Sequence, residues 1–247
     1  MSCRPRERAA GSELLQASVL IVADSCWRRC DWRAKVAVML HAALNLLVPP
    51  LCWACRKRAD DRLCEECRLQ LPWIEPLAAR RRGSVLDHHW SPLEFEGPAR
   101  ALVHALKFHS ATALAALMAR QLVDALPPRA FPTGAALVPV PASPIRLRQR
   151  GFDHAELLAV ALSRIVMLPR QRPLRRERSI ARGQRGLGRS DRLGGRGLQV
   201  RAAGKAPLQA ILIDDVCTTG ATLELCAKAL LGAETCRVSA VTYCSVA

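Results

Sequence analysis

The chain is poor in aromatic residues: five Trp, four Phe and one Tyr make up 4% of its 247 positions. Proteins that hold single strands by stacking successive bases rely on aromatic platforms, so extended binding of that kind is not expected. Long apolar runs are missing as well. Leu14–Ala23 is broken by Gln16 and Ser18, and Val36–Leu51 contains His41, Asn45, Pro49 and Pro50. Neither approaches the roughly 20 residues that a membrane helix needs, so no stable membrane insertion is expected. A secretory signal pattern is lacking too: Arg4, Arg6 and Arg8 precede an apolar run, but Glu7, Glu13 and Asp24 interrupt it. A cytoplasmic location is therefore expected. Acidic residues are scarce, 21 against 37 basic ones, for a net charge of +16. That excess asks for an acidic partner: a phosphorylated small molecule, nucleic acid or an anionic surface. The basic residues are almost all Arg, and a coding bias would give the same excess, so charge alone does not choose. Half of the residues are hydrophobic, which suits a folded chain of one or two domains with a sizeable core.

Cysteine is the exception to this scarcity, with eleven residues. Cys52, Cys55, Cys64 and Cys67 form C-x2-C-x8-C-x2-C. Two such knuckles place four thiolates around a tetrahedral Zn²⁺, and the polar segment between them can turn the chain. A pair of disulfides is the alternative, but it needs an oxidising compartment that nothing here supports. One structural Zn²⁺ is expected. Cys226, Cys236 and Cys244 read as small core residues, and Cys26 and Cys30 as unpaired thiols.

The most informative stretch is AILIDDVCTTGATLE, residues Ala210–Glu224. Ile211, Leu212 and Ile213 read as a buried parallel strand. Asp214 and Asp215 stand at its carboxyl end, where open α/β sheets bind ligands. A small-residue loop, Cys217, Thr218, Thr219, Gly220, Ala221 and Thr222, then leads into a helix. The start of a helix offers free N–H groups and a positive dipole end, which suit a phosphate. Two carboxylates beside a phosphate repel it unless they face sugar hydroxyls or a divalent cation. The residues thus ask for a phosphorylated sugar, with Mg²⁺. Helix capping is the plainer explanation, but two carboxylates, three Thr and a Gly exceed what a cap needs.

Upstream, apolar residues recur at helical spacing over Gly97–Leu126, giving one long helix or two joined near Ser110. Val138 and Val140 alternate with Pro139 and Pro141 as at the exit of a strand. The following loop, Pro141–Gln149, carries Arg146 and Arg148. Arg150-Gly151-Phe152 opens the next helix, and Arg150 can pair with phosphate bidentately. Between Arg170 and Arg196 lie ten Arg, two acidic residues and no aromatic. This composition suits a cationic lid or a nucleic-acid-binding loop.

IDDVCTTGAT resembles the phosphoribosyl pyrophosphate (PRPP) binding motif of type I phosphoribosyltransferases. Together with Cys52–Cys67, Leu106–Phe108, Val138–Pro141, RGFDHA at Arg150–Ala155, Gln184 and Arg192, it is similar in order to the ComF family. The likeness covers about residues 46–247. It implies an α/β type I phosphoribosyltransferase fold, a mostly parallel sheet flanked by helices, with a small N-terminal zinc-ribbon module. The expected organisation is an extension over 1–45, a double zinc-ribbon-like module over 46–75 and a phosphoribosyltransferase domain over 92–247. Many relatives carry a further pair of knuckles, which this chain lacks.

The resemblance also implies roles. Asp214 and Asp215 hold the ribose hydroxyls, and Cys217–Thr222 holds the 5-phosphate. Pro141, Arg146, Arg148 and Arg150 serve the Mg²⁺–pyrophosphate leaving group. Lys107 borders the site, and a flexible hood carrying Arg178 and Gln184 closes over PRPP. The family reads RGFNQA where this chain has RGFDHA. Asp153 replaces a neutral amide by an acceptor, unfavourable near a polyanion unless it meets a cation or caps a helix. The activity implied is transfer of ribose 5-phosphate to an acceptor that no residue specifies, or non-catalytic PRPP binding as a regulator. The family name links the chain to DNA uptake. Single-stranded DNA or competence machinery, such as a helicase-like protein, are the implied partners.

Overall fold

The computed structural model describes residues 51–75, 84–108, 111–176 and 199–246. The expectations for residues 1–45, Cys26, Cys30, Arg178, Gln184 and Arg192 lie outside the described residues. The element order is α1 (Glu65–Leu69), β1 (His89–Trp90), β2 (Leu93–Glu94), α2 (Gly97–Phe108) and α3 (Leu114–Ala125). There follow β3 (Ala136–Pro139), α4 (Pro144–Arg150), α5 (His154–Val166), β4 (Leu174–Arg176) and β5 (Val200–Ala202). The chain ends on β6 (Gln209–Cys217), α6 (Ala221–Leu231) and β7 (Arg237–Ser245).

β1, β7, β6 and β3 lie side by side in that order, and β2 also pairs with β7. Every pairing in this sheet is parallel. β4 and β5 form a separate antiparallel pair. The fold is thus α/β, a parallel sheet flanked by helices, beside an N-terminal cysteine cluster. Parallel strands covered on both faces are apolar throughout. β3 is buried at all four positions, and β6 from Ala210 to Ile213.

Alternation along the strands sorts these side chains between two cores. Leu137, Ile211, Ile213, Val241 and Tyr243 join the apolar cluster that contains the buried faces of α2, α3 and α5. Val138, Ala210, Leu212, Val238 and Ala240 join a second cluster with Leu223, Cys226 and Leu230 of α6. The first is closed by a hydrogen bond from the buried Tyr243 hydroxyl to Gln121 Oε1, 2.7 Å.

The span Gly97–Leu126 takes the second of its two expected forms, two helices, with α2 ending at Phe108 and α3 starting at Leu114. Three local expectations need correction. Pro141–Gln149 is not wholly a loop. Ser143 caps a short helix by accepting from Arg146 N, and Pro144 fills the first turn, where its missing N–H costs nothing. Arg150 closes that helix rather than opening the next. Gly151, at φ 77°, supplies the left-handed turn that ends it. Cys236, expected in the core, is exposed in the turn before β7.

Candidate functional site

Asp214 and Asp215 are consecutive on β6, so alternation sends their side chains to opposite faces. Asp215 follows Ile213 toward α2 and α5. It is 2% exposed, and its Oδ1 lies 2.7 Å from Lys107 Nζ on the last turn of α2. Its Oδ2 lies 3.1 Å from Nε2 of His154, the first residue of α5. Asp214 lies toward α6 and β4, is partly buried, and accepts a hydrogen bond from Asp215 N at 2.9 Å. Burial, and then the Asp215 charge, pushes the Asp214 carboxyl up to about 8. Burial pushes the His154 imidazole down, against the pull of Asp215. Burial thus favours the neutral imidazole.

Asp153 resolves the oddity of RGFDHA. Its Oδ1 accepts from Ala155 N and Glu156 N at the start of α5, and its Oδ2 accepts from Ala142 N at 3.1 Å. It is a helix cap that also ties down the chain leaving β3. The sequence carries this signal: Asp153 followed by Glu156 is the spacing of a capping box.

The strand continues past the carboxylates, because Val216 and Cys217 stay paired with Cys244 and Ser245 of β7. Cys217 is thus the buried last residue of β6 rather than part of an open loop. Thr218, Thr219 and Gly220 form the turn. Gly220, at φ 75°, is the N-cap of α6 and offers no side chain there. Ala221 N donates to Thr219 Oγ1 at 3.4 Å, and Thr222 lies in the first helical turn. This is a strand end, a tight turn and a helix start, with the Thr218, Thr219 and Thr222 hydroxyls carried on the turn and the first helical residues.

The arginines divide. The Arg150 guanidinium lies over the Phe108 ring, 4.7 Å from its centroid, and Nη1 is buried without a hydrogen-bond partner. Arg146 is one turn from Arg150 on the same side of α4, whereas Arg148 falls on another face. Arg176, which the sequence does not single out, stands at the end of β4. Burial and then the charge of Arg146 push its guanidinium pKa down, and Asp214 acts on it in the opposite sense. It therefore lies within electrostatic reach of both. Its only sequence signal is its place at the end of a short strand inside the Arg-rich segment. Beside it a cleft of about 160 Å³ is lined by Pro141, Asp153, Glu156, Arg172, Leu174 and Arg176, among others. Glu156 holds Arg170 and Arg172 at its rim.

The four knuckle cysteines are free thiols whose sulfurs all lie within 4.8 Å of one another. Cys55 Sγ and Cys64 Sγ are 3.7 Å apart. That is far beyond a disulfide bond, and it matches the edge of a tetrahedron with Zn–S bonds of about 2.3 Å, which is about 3.8 Å. Burial disfavours the Cys52 thiolate, but backbone N–H groups of Cys55, Cys64 and Ala54 outweigh it and bring the thiol down to about 6. The donor set fits a structural Zn²⁺. Among the described residues this is the one group of four cysteines placed to share a metal. No helix among the described residues is long and apolar enough to cross a membrane.

Residues 43–94 match the family model described as a double zinc ribbon domain. The chain is 31% identical over 224 residues to DNA utilization protein YhgH of Salmonella typhimurium, covering 78% of this chain and 96% of that protein. It is 29% identical over 216 residues to competence protein F of Haemophilus influenzae, covering 81% and 91%. It is 27% identical over 217 residues to competence protein ComFC of Bacillus subtilis, covering 81% and 82%. Likeness of this extent, together with the match of residues 43–94 that include the cysteine knuckles, shows that the chain belongs to the ComF family of competence and DNA-utilization proteins.

Proposed function

We propose that the chain binds PRPP and transfers its ribose 5-phosphate to a nucleophilic acceptor, in a role connected with DNA uptake. The observation that supports this best is the end of β6: adjacent carboxylates followed by a hydroxyl-rich turn into α6. In this reading the Thr218–Thr222 turn receives the 5-phosphate at the positive end of the α6 dipole. Asp214 accepts from the ribose hydroxyls. Asp215 is engaged with Lys107 and His154, so its part is to position those two groups beside the sugar. Arg146, Arg150 and Arg176 supply positive charge for the pyrophosphate, and Pro141 walls the adjoining cleft. Mg²⁺, when bound, would neutralise the pyrophosphate oxygens, and Asp214 and Asp215 are the carboxylates at hand to hold it.

The reaction breaks the bond from C1 of the ribose to pyrophosphate, and the electron pair leaves with pyrophosphate. C1 becomes cationic and accepts a pair from the acceptor, which releases a proton. Fixed charges aimed at the leaving group account for most of the catalysis. Calorimetry with PRPP and Mg²⁺, followed by a pyrophosphate-release screen over candidate acceptors, tests the reading. Binding lost in Asp214→Ala is expected. Absence of PRPP binding to the wild type at millimolar Mg²⁺ refutes it, whereas binding without release identifies a regulator.

A second reading, a DNA-handling accessory, has its own support. Arg100, Phe95, His104, Phe108 and Arg150 form a continuous row of ring and guanidinium contacts, spaced 4.7–6.1 Å between successive groups. Alternating aromatic and cationic groups suit single-stranded DNA. DNA affinity that falls with salt and survives Asp214→Asn favours this reading; affinity abolished by that substitution counts against it.

A further inference from the structure

We propose that the cleft beside Arg176 is a binding site for a small molecule other than PRPP, an aromatic monocarboxylate that carries an uncharged N–H or O–H donor. The cleft lies between the exit of β3, α4, the start of α5 and β4, and holds about 160 Å³. Liquid water takes about 30 Å³ per molecule, so the space is that of about five waters. That suits one six-membered ring with its substituents rather than a nucleotide. Pro139, Pro141, Pro144, Leu147 and Leu174 supply the apolar walls. These side chains offer no hydrogen bond, so they favour an apolar ring and leave orientation to the few polar groups.

Those polar groups are unevenly satisfied. Glu156 lines the cleft, and its Oε2 is buried without a hydrogen-bond partner. Arg170 holds Oε1, while Arg172 Nε stands 3.4 Å from Oε2 but outside hydrogen-bond geometry. A buried carboxylate oxygen left so costs free energy, which a donor on a ligand would recover. Asp153 lines the same cleft but is not available, because both of its oxygens accept from backbone N–H groups. On the β4 side stand Arg175 and the half-buried Arg176. Among the described residues neither has a carboxylate within ion-pair distance.

The charge balance narrows the ligand class. Arg170, Arg172, Arg175 and Arg176 stand around two carboxylates, Asp153 and Glu156. The excess favours an anion, and it disfavours an ammonium at Glu156, where two guanidinium groups already stand. The two carboxylates in turn disfavour a polyanion such as pyrophosphate. One carboxylate paired with the Arg176 fork, and a neutral amino or hydroxyl group donating to Glu156, meet both conditions. The cleft adjoins the arginines assigned to pyrophosphate, so its occupant would lie next to the sugar. That consequence rests on the phosphoribosyl reading, whereas the binding itself does not.

Calorimetry with 4-aminobenzoate, benzoate and aniline on the zinc-loaded full chain, without PRPP or Mg²⁺, tests this. 4-Aminobenzoate should bind about tenfold tighter than benzoate, which lacks the donor, and than aniline, which lacks the anion, because each leaves a charged group unpaired. Glu156→Gln should narrow the first margin and Arg176→Gln the second. Leu147 is 39% exposed, so Leu147→Trp can fill the cleft from its open side without disturbing the core, and it should weaken 4-aminobenzoate about tenfold. No binding of 4-aminobenzoate to the wild type, equal binding of all three compounds, or unchanged affinity in the Leu147→Trp protein overturns the proposal. Because PRPP is omitted, failure here leaves the phosphoribosyl reading standing, and failure of PRPP to bind leaves this site standing.

Discussion

Lys107→Met should destabilise the fold by about 2–4 kcal/mol near pH 8 and by less near pH 5.5. The ammonium lies 2.7 Å from a carboxylate that is 2% exposed. With an effective dielectric constant of about 20, a pair at that distance attracts by about 6 kcal/mol. Part of this attraction only offsets the desolvation of both ions. Removing one partner of a buried pair typically costs about 3–5 kcal/mol, since the other is left charged and unpaired. Lys107 is 21% exposed, which places the expected loss at or below that range. Met keeps the length and apolar stem of the side chain, so the charge is what changes. For a chain of this size the loss corresponds to a Tm lower by about 5–15 °C.

The pH dependence follows from His154. Lys107 is one of the groups that hold its pKa down. Without the ammonium, the folded variant takes up a proton on His154 more readily as pH falls. A folded state that binds more protons gains stability toward low pH relative to the wild type. The gap between the two proteins should therefore narrow below about pH 6.5, the ordinary imidazole value. Thermal melts of both proteins from pH 5 to 8.5, with the Lys107→Met/Asp215→Asn double variant, measure it. The double variant should recover part of the loss, since the orphaned charge is gone. A Tm within 2 °C of wild type at every pH, or no recovery in the double variant, refutes the argument.

Asp214→Asn should raise Tm increasingly across the window from about pH 4 to about pH 8. The wild-type carboxyl is raised from 3.8 to about 8, so over that window the unfolded chain ionises while the folded one keeps its proton, and stability falls as pH rises. Melts in Mg²⁺-free, zinc-loaded buffer check this, and a pH-independent difference contradicts it. Asp153→Ala should cost about 1–2 kcal/mol in urea unfolding through loss of the α5 cap, while Asp153→Asn should keep most of it. Metal analysis should give about one Zn²⁺ per chain, and Cys64→Ser should lose it. Because Cys52, Leu63, Cys67 and Leu71 share an apolar cluster with α2 and α3, that variant should melt lower as a whole. Zinc at full stoichiometry in a Cys52→Ser/Cys64→Ser double variant would contradict the four-thiolate centre.

Features that are contiguous in the chain are legible in the amino-acid sequence alone. The apolar run Ile211–Ile213, the paired carboxylates and the Thr-rich turn are one stretch, and local spacing places a strand, its end and a helix start. The C-x2-C knuckles are equally local, since ligand spacing alone brings thiolates to one metal. Two expectations fail where signals conflict. Pro141 and Pro144 read as loop, yet Pro144 is a favoured first helical residue behind the Ser143 cap. Arg150 reads as a helix start because the left-handed role of Gly151 depends on backbone conformation rather than composition.

What only the tertiary structure decided is which groups share the space around the two carboxylates. Lys107 and Asp215 are separated by more than 100 positions in the chain, and α2 and β6 meet only because both pack on one face of the sheet. The pleat then separates neighbours in sequence, sending Asp215 to Lys107 and His154 and leaving Asp214 toward Arg176 and α6. Residue types by themselves call for an anionic sugar ligand. The division of labour between the two carboxylates required the sheet, because side-chain direction, burial and charge pairing are properties of packed elements.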